Sequence, residues 1–452
     1  MNFDKLLVNG TIVTPFGRYQ GVIGIKNGKI ACIAEEQADY KAEEVIDVSG
    51  KYILPGLIDA HNHFQDPGFT QREDIEHATA ACAAGGITTA ISHPMNDPAI
   101  VDLESYKANM EAYENRSIID YGIHGGGTAD NIEKIEELWQ KTGATSIKMF
   151  MCFSVKEFPY VRDDALYAIL EKLSKCNGLA IIHCENDDLI RLMESRLQAE
   201  GRKDPLAYNL SRPEIAEIEA VRRAIFMLEN TGAQGLILHV TSAQALKEIY
   251  QARQRGVKVW AESCPHFFTF IREDMNELGP YLKFSPVMRD EENRMEMWRL
   301  LNEGYVHTIG SDHSPYTREE KEAGKDDIWK APNGIPGNQI MLSVFLDGVN
   351  KGLVSLERVV EVSSYNPAKI YGLYPRKGVI QPGADADLTI VDMDLEQIYT
   401  AEMSKSKADW SPYFGRKFKG WPVMTLVRGQ VVYNNGQIMV EPGYGKYVAR
   451  QK

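Results

Sequence analysis

Five side chains of metal-binding type fall beside short apolar runs of this 452-residue chain: His61 and His63 after run 53–59, His183 closing 179–183, His239 closing 236–239, and Asp312 closing 308–312. One imidazole beside an apolar run is ordinarily a satisfied structural histidine. Four of them and a carboxylate at the ends of four separate runs ask for another reading. In an extended segment, side chains alternate, so His61 and His63 share a face and can grip one ion. Imidazole with carboxylate suits Zn²⁺ best, with Mn²⁺, Co²⁺ or Fe²⁺ as alternatives. Lys148, inside Ser146-Ile147-Lys148-Met149-Phe150, places an ammonium in an apolar strand, where an unpaired charge is costly. It needs a partner carboxylate or a modification.

Those residues must be positioned by something, and the apolar runs supply it. Runs at 53–59, 87–92, 118–124, 146–150, 179–183, 236–239, 257–262 and 308–312 alternate with amphipathic stretches such as 73–84, 131–141, 164–175, 215–230, 244–255 and 292–302. Alternation of that kind signals βα units and a parallel sheet. Eight runs match a (β/α)₈ TIM barrel, whose C-terminal strand ends form the active-site mouth. A doubly wound open sheet would normally carry a glycine fingerprint after its first strand; here Asp59-Ala60-His61-Asn62-His63 stands there. The flanks read differently. Runs 6–14, 22–26, 29–34 and 44–47, with an Asn27-Gly28 hairpin turn, and runs 387–392, 423–428 and 430–433 read as β-strands. The expected division is 1–52 and 373–452 as two all-β parts around a 53–372 barrel.

Composition excludes several classes. With 50 Lys+Arg against 63 Asp+Glu, a net charge of −13 and no clustered basic run, neither a nucleic acid nor an anionic membrane is an expected partner. No stretch approaches the length of a membrane span or the pattern of a secretory signal. The six cysteines are dispersed, with no C-x-x-C pair, so reduced thiols in a cytoplasmic protein are expected.

The ordered motifs resemble the cyclic amidohydrolase branch of the amidohydrolase superfamily: allantoinases, hydantoinases, dihydropyrimidinases and dihydroorotases. They are Pro55-Gly56-Leu57-Ile58-Asp59-Ala60-His61-Asn62-His63, Ala83-Ala84-Gly85-Gly86-Ile87-Thr88-Thr89, Ile147-Lys148-Met149-Phe150, His183-Cys184-Glu185-Asn186, His239-Val240-Thr241-Ser242, Glu262-Ser263-Cys264-Pro265-His266 and Gly310-Ser311-Asp312-His313-Ser314-Pro315. The resemblance covers essentially the whole chain. It implies a metal-dependent barrel with a small β-sandwich built from both flanks, two Zn²⁺ per chain, and Lys148 carbamylated by CO₂. It implies one metal on His61, His63, Lys148 and Asp312 and the other on Lys148, His183 and His239. A bridging hydroxide would attack the ring carbonyl, and Asp312 would carry its proton to the leaving nitrogen. A homotetramer is implied by the same analogy.

The resemblance also bears on the ring. Dihydroorotases follow H-x-H with an arginine that grips a carboxylate, whereas this chain has Phe64-Gln65; D-selective hydantoinases place a tyrosine where this chain has Phe153. A neutral cyclic ureide is therefore expected. Trp410-Ser411-Pro412-Tyr413-Phe414-Gly415-Arg416 is most similar to allantoinases, and Trp329-Lys330-Ala331-Pro332-Asn333-Gly334 to L-hydantoinases. The expected reaction is opening of allantoin to allantoate. Opening of 5-substituted hydantoins or dihydropyrimidines is the alternative, and an inactive scaffold of the same fold the more distant one. By family correspondence Ser285 and Asn333 would touch the cyclic amide, with plain turn chemistry the alternative. Gln65, Asn96 and Ser314 would meet a ureido arm. His93, His266 and His313 are further candidates at the mouth; His77, His124 and His307 read as structural, and Cys184 and Cys264 as packing.

Overall fold

A computed structural model describes residues 2–35, 40–156 and 158–451. Its first five strands are β1 (Asn2–Thr14), β2 (Gly17–Lys26), β3 (Lys29–Ala34), β4 (Lys41–Asp47) and β5 (Tyr52–Pro55). The Asn27-Gly28 turn between β2 and β3 has both residues at positive φ, 52° and 74°, the conformation whose twist suits a tight hairpin. β1 pairs in parallel with β4 through its first half and with β5 at Thr11 and Ile12.

The barrel strands are β6 (Leu57–Asn62), β7 (Ile87–Ser92), β8 (Asp120–Ile123), the two-residue β9 (Gly125–Gly126), β10 (Ile147–Phe150), β11 (Leu179–His183), β12 (Gln234–Ile237), β13 (Val259–Ser263) and β14 (Thr308–Ile309). Every pairing among them is parallel. β9 continues β8 past His124, and the ring closes where His63 N donates to His313 O at 2.8 Å and Ser311 N to the Asp59 carboxylate at 3.0 Å. Strands β6, β7, β8, β10 and β11 are buried at every residue, as strands covered on both faces must be.

Helices cover the outside, several begun by a side-chain cap: Asp74 accepts from His77 N, Ser242 from Ala245 N and Asp290 from Asn293 N. Between β11 and β12 stand three helices, Asp187–Ala199, Pro205–Leu210 and Glu214–Thr231, where the apolar period revealed one. Among the described residues, no helix is long and apolar enough to cross a membrane.

After the barrel come β15 (Leu388–Ile398), β16 (Lys417–Val427), β17 (Gln430–Asn434) and β18 (Gln437–Ile438). They join the first strands in one nine-stranded sheet of order β18-β17-β16-β15-β5-β1-β2-β3, with β4 also on β1. The seam is the antiparallel pair β5–β15, and Leu7, Ile12, Ile23, Ile53, Leu388, Ile390 and Leu426 form the core behind it.

Three runs differ from expectation in ways that bear on the site, and one of them, 236–239, is a strand only through Ile237, so that His239 stands beyond its end. The 53–59 run is two strands: β5 belongs to the terminal sheet and β6 to the barrel. The chain crosses between them at Gly56, where a Cβ would lie 2.2 Å from Thr88 Oγ1. The 308–312 run stays in the ladder only through Ile309, because the chain turns at Asp312, with φ 47°. Segment 443–451 leaves the sheet and lies along the barrel: Val448 N donates to Tyr121 O at 2.8 Å, and the Tyr106 and Tyr447 hydroxyls meet at 2.6 Å.

Candidate functional site

The histidines and Asp312 converge at the C-terminal mouth of the barrel. Asp312 Oδ1 lies 3.2 Å from His61 Nε2 and 3.3 Å from His63 Nε2. His61 turns its other nitrogen, Nδ1, to Glu262 Oε1 of β13 at 2.5 Å. His183 repeats the device: Nε2 meets Glu185 Oε2 at 2.8 Å, and Glu185 is held in turn by Arg212 Nη1 at 2.6 Å. Tying one ring nitrogen to a buried carboxylate fixes the imidazole's orientation and leaves the other nitrogen for an ion. His239 packs its ring edge-on to that of His183, centroids 4.5 Å apart, and its Nδ1 is buried with no hydrogen-bond partner.

Strand ends aim these groups by unusual backbone. Gln65, His239 and Asp312 have φ of 61°, 38° and 47°, a region non-glycine residues rarely enter and that clusters at functional sites. Lys148 in β10 is buried; its Nζ makes no side-chain hydrogen bond among the described residues and lies 4.3 Å above the Phe150 ring.

The electrostatics follow from burial and close charges. Burial pushes Lys148 down to about 8 against the opposing pull of Asp312 and Glu262. Burial would also lower His61, but Glu262 and Asp312 outweigh it and raise that imidazole to about 9. His63, whose largest influence is burial, falls to about 4. Burial opposes the charge on Asp312, yet His61 and His63 hold its carboxyl well below the ordinary range.

All six expected ligands line one cavity with Gln65, Ser285, Ser314 and Asn333. Two expected contacts do not line it. Phe153 is 53% exposed, its backbone N–H held outward by Asp187 Oδ1 at 2.9 Å, and Ser154 and Val155 line the wall beside it. Asn96 is buried with its amide donating to Asn109 Oδ1 at 2.8 Å and Asp66 O at 3.3 Å.

Of the other histidines, His93 stacks on His61, centroids 4.1 Å apart, with both nitrogens unpartnered. His313 is buried, accepting from Gly337 N and facing Glu73. His266 packs against Phe267 and Phe284, and neither it nor His313 lines the cavity. Burial pushes the thiols of Cys184 and Cys264 well up, away from nucleophilic character.

Sequence reading missed Arg72, Phe69, Met95 and Tyr316, all lining the cavity. Arg72 binds Glu320 through Nε and Nη2 at 2.9 and 2.7 Å and stacks 4.4 Å over Tyr316. In sequence it sits in Thr70-Gln71-Arg72-Glu73-Asp74 and looks like solvated surface. Glu185 and Glu262 stood in the motifs, but their task is visible only once the imidazoles are placed.

This donor set fits divalent transition-metal ions: imidazoles oriented by buried carboxylates, an orphaned ring nitrogen, a shared aspartate, and a lysine whose lowered pKa leaves part of it as free amine. Comparison with known proteins agrees with the geometry. Residues 52–432 match the model of the amidohydrolase family. The chain is 36% identical to the L-hydantoinase of Paenarthrobacter aurescens, over 99% of this chain and 98% of that one. It is equally 36% identical to the allantoinase of Deinococcus radiodurans, over 98% of each. The solved L-hydantoinase (dihydropyrimidinase) from Arthrobacter aurescens superposes with a TM-score of 0.97, covering 99% of this chain and all of that one.

Proposed function

The chain belongs to the amidohydrolase family and is a cyclic amide hydrolase; from that premise we propose that its substrate is allantoin, opened to allantoate. The observation that supports a neutral ureide is the charge of the wall. Gln65, Ser285, Ser314 and Asn333 are polar and uncharged, and the one guanidinium there among the described residues, Arg72, is already paired with Glu320. An anionic ring would find no free cation among these groups. Asn96 drops out as a partner for the ureido arm, which leaves Gln65 and Ser314.

In this reading His61, His63, Lys148 and Asp312 would hold one metal and Lys148, His183 and His239 the other. When bound, such ions supply Lewis acidity to water and to a ring carbonyl. Lys148, as free amine, would add to CO₂ with loss of a proton and offer two carboxylate-like oxygens. Asp312 would hold the proton lost by water and return it to the ring nitrogen as the C–N bond breaks. The same proposal takes Zn²⁺ as the metal, a homotetramer as the assembly and the cytoplasm as the compartment, each by likeness to the family rather than from the site.

Apolar side chains on the same wall, Phe69, Met95 and Val155, favour the second reading, a hydantoinase for alkyl- or aryl-substituted rings. A panel of allantoin, 5-benzylhydantoin, dihydrouracil and dihydroorotate separates the two. The expected order of kcat/KM is the order given. Faster opening of benzylhydantoin selects the second reading, and a metal-loaded protein that opens none of the four is a scaffold.

A further inference from the structure

Two lysines the chemistry does not use are almost fully enclosed behind the cavity wall. Lys321, on the short helix Arg318–Glu322, is 0% exposed and Lys283 is 4% exposed. Neither forms an ion pair with a carboxylate among the described residues. Lys321 Nζ instead donates to three backbone carbonyls, Lys283 O, Pro332 O and Gly334 O, each at 3.0 Å. Lys283 Nζ donates to Ile328 O at 2.8 Å and Ala331 O at 2.5 Å and lies 4.5 Å over the Tyr208 ring.

An ammonium has three protons and Lys321 has three acceptors, so the group is satisfied only as a cation and only in this loop conformation. Carbonyl dipoles turned inward toward one point repel one another; a buried positive charge is what reconciles them. Burial pushes both lysines down, Lys283 to about 7, against the weaker pull of Glu194 and Asp327 on Lys283 and of Glu320 on Lys321.

What the cations hold is the wall that would meet the substrate. Asn333 stands between Pro332 and Gly334, whose carbonyls both bind Lys321, and Ser285 follows Lys283 by two residues. Gly334 N returns a hydrogen bond to Lys283 O at 3.0 Å, locking the two segments together. Gly334 has φ 148°, and a Cβ there would lie 2.3 Å from Ser314 O, so the loop is seated directly on a third lining residue. Asn333 Oδ1 is buried without a partner, an acceptor kept in place and left open.

We infer that Lys321, seconded by Lys283, is a positioning residue: a buried ammonium that fixes, through backbone carbonyls, the cavity wall carrying Ser285, Ser314 and Asn333. The inference rests on the reading above that this wall receives the cyclic amide. Lys321→Met and Lys283→Met, assayed as metal-loaded full-length protein, test it on allantoin, or on whichever ring of the panel the unaltered protein opens fastest.

Both variants are expected to retain their metal and to raise KM by roughly 10- to 100-fold with kcat changed far less, because misplaced binding groups lose ground-state and transition-state contacts together. Hydrogen exchange should quicken in 328–334 and not in the barrel strands. An unchanged KM in a folded variant overturns the inference. So does a fall in kcat with loss of metal at constant KM. Failure of both variants to fold makes the pair structural and overturns it as well. If the unaltered protein opens no ring, it is the functional reading that fails, and faster exchange in 328–334 still reports the clamp.

Discussion

Two buried polar clusters of this protein look alike until their partners are compared. At the mouth, His61, His63 and His93 bring ligand atoms within 4.8 Å of one another; where β8 begins, Asp120, Asp385 and Asp387 do the same. The second cluster is already neutralised. Lys377 Nζ reaches Asp120 at 2.5 Å, Asp387 at 2.6 Å and Asp385 at 3.1 Å, while Arg428 takes the other Asp120 oxygen and Arg376 binds Asp385. At the mouth, His239 Nδ1, Glu185 Oε1 and Glu262 Oε2 have no partner, and Lys148 Nζ faces the Phe150 ring. Ligand types at ligand spacing therefore do not identify a metal centre. The distinguishing feature is whether each buried ligand atom already has a protein partner, as the carboxylate oxygens of Asp120, Asp385 and Asp387 do and several atoms at the mouth do not, where such folds do their chemistry.

Exchanging the roles of the two lysines gives the largest effects. Lys148→Ala should lose bound metal and ring-opening activity together while remaining folded; metal analysis after dialysis beside a rate assay checks it. Full metal and activity in that variant would erase the contrast. Lys377→Met should do the reverse. Three buried carboxylates left without their ammonium cost about 3–5 kcal/mol of stability, read by urea unfolding, with metal content at the mouth unaltered.

The contrast was only partly legible in the chain. β7 and β11 coincide with the apolar runs read for them, because buried parallel strands are continuous apolar stretches that need no partner to be recognised. Lys148 could be singled out since it interrupts such a stretch. Lys377 could not: Arg376-Lys377-Gly378 looks like solvated charge, and the Asp120 carboxylate that it meets lies 257 residues away in β8. Arg72 and Lys321 were hidden for the same reason. A long-range partner turns a surface-like residue into a buried one, and periodicity carries no record of that. Phe153 and Asn96 show the converse, two positions near the site in sequence whose backbone or amide is committed elsewhere.

A smaller effect sharpens the account of the mouth. Glu262→Gln keeps the shape beside His61 but removes the charge that orients it, so metal affinity should fall about 10–100-fold, measured by chelator competition. An unchanged affinity would show that Glu262 only packs.

The smallest effect sets the scale at the surface. Asp102, capping the helix Leu103–Tyr113, is lowered to about 2, first by the Ser105 backbone and then by Lys134. A carboxyl lowered on folding stabilises above its unfolded value near 3.8 and ceases to do so as pH falls through about 2. Asp102→Ala should cost about 1 kcal/mol at neutral pH, and that difference should shrink between pH 4 and 2 in acid unfolding curves.

The seam between β5 and β15 has a bearing on synthesis. A ribosome releases Tyr52–Pro55 before any barrel strand and Leu388–Ile398 only after the last. Throughout elongation across the barrel, the edge of β5 that will pair with β15 lacks its partner, and such an edge is a template for pairing with another chain. Vectorial production therefore leaves the nascent polypeptide with an open sheet edge for the whole time its catalytic half is being made, and completion of the sheet is a late event in the life of each molecule.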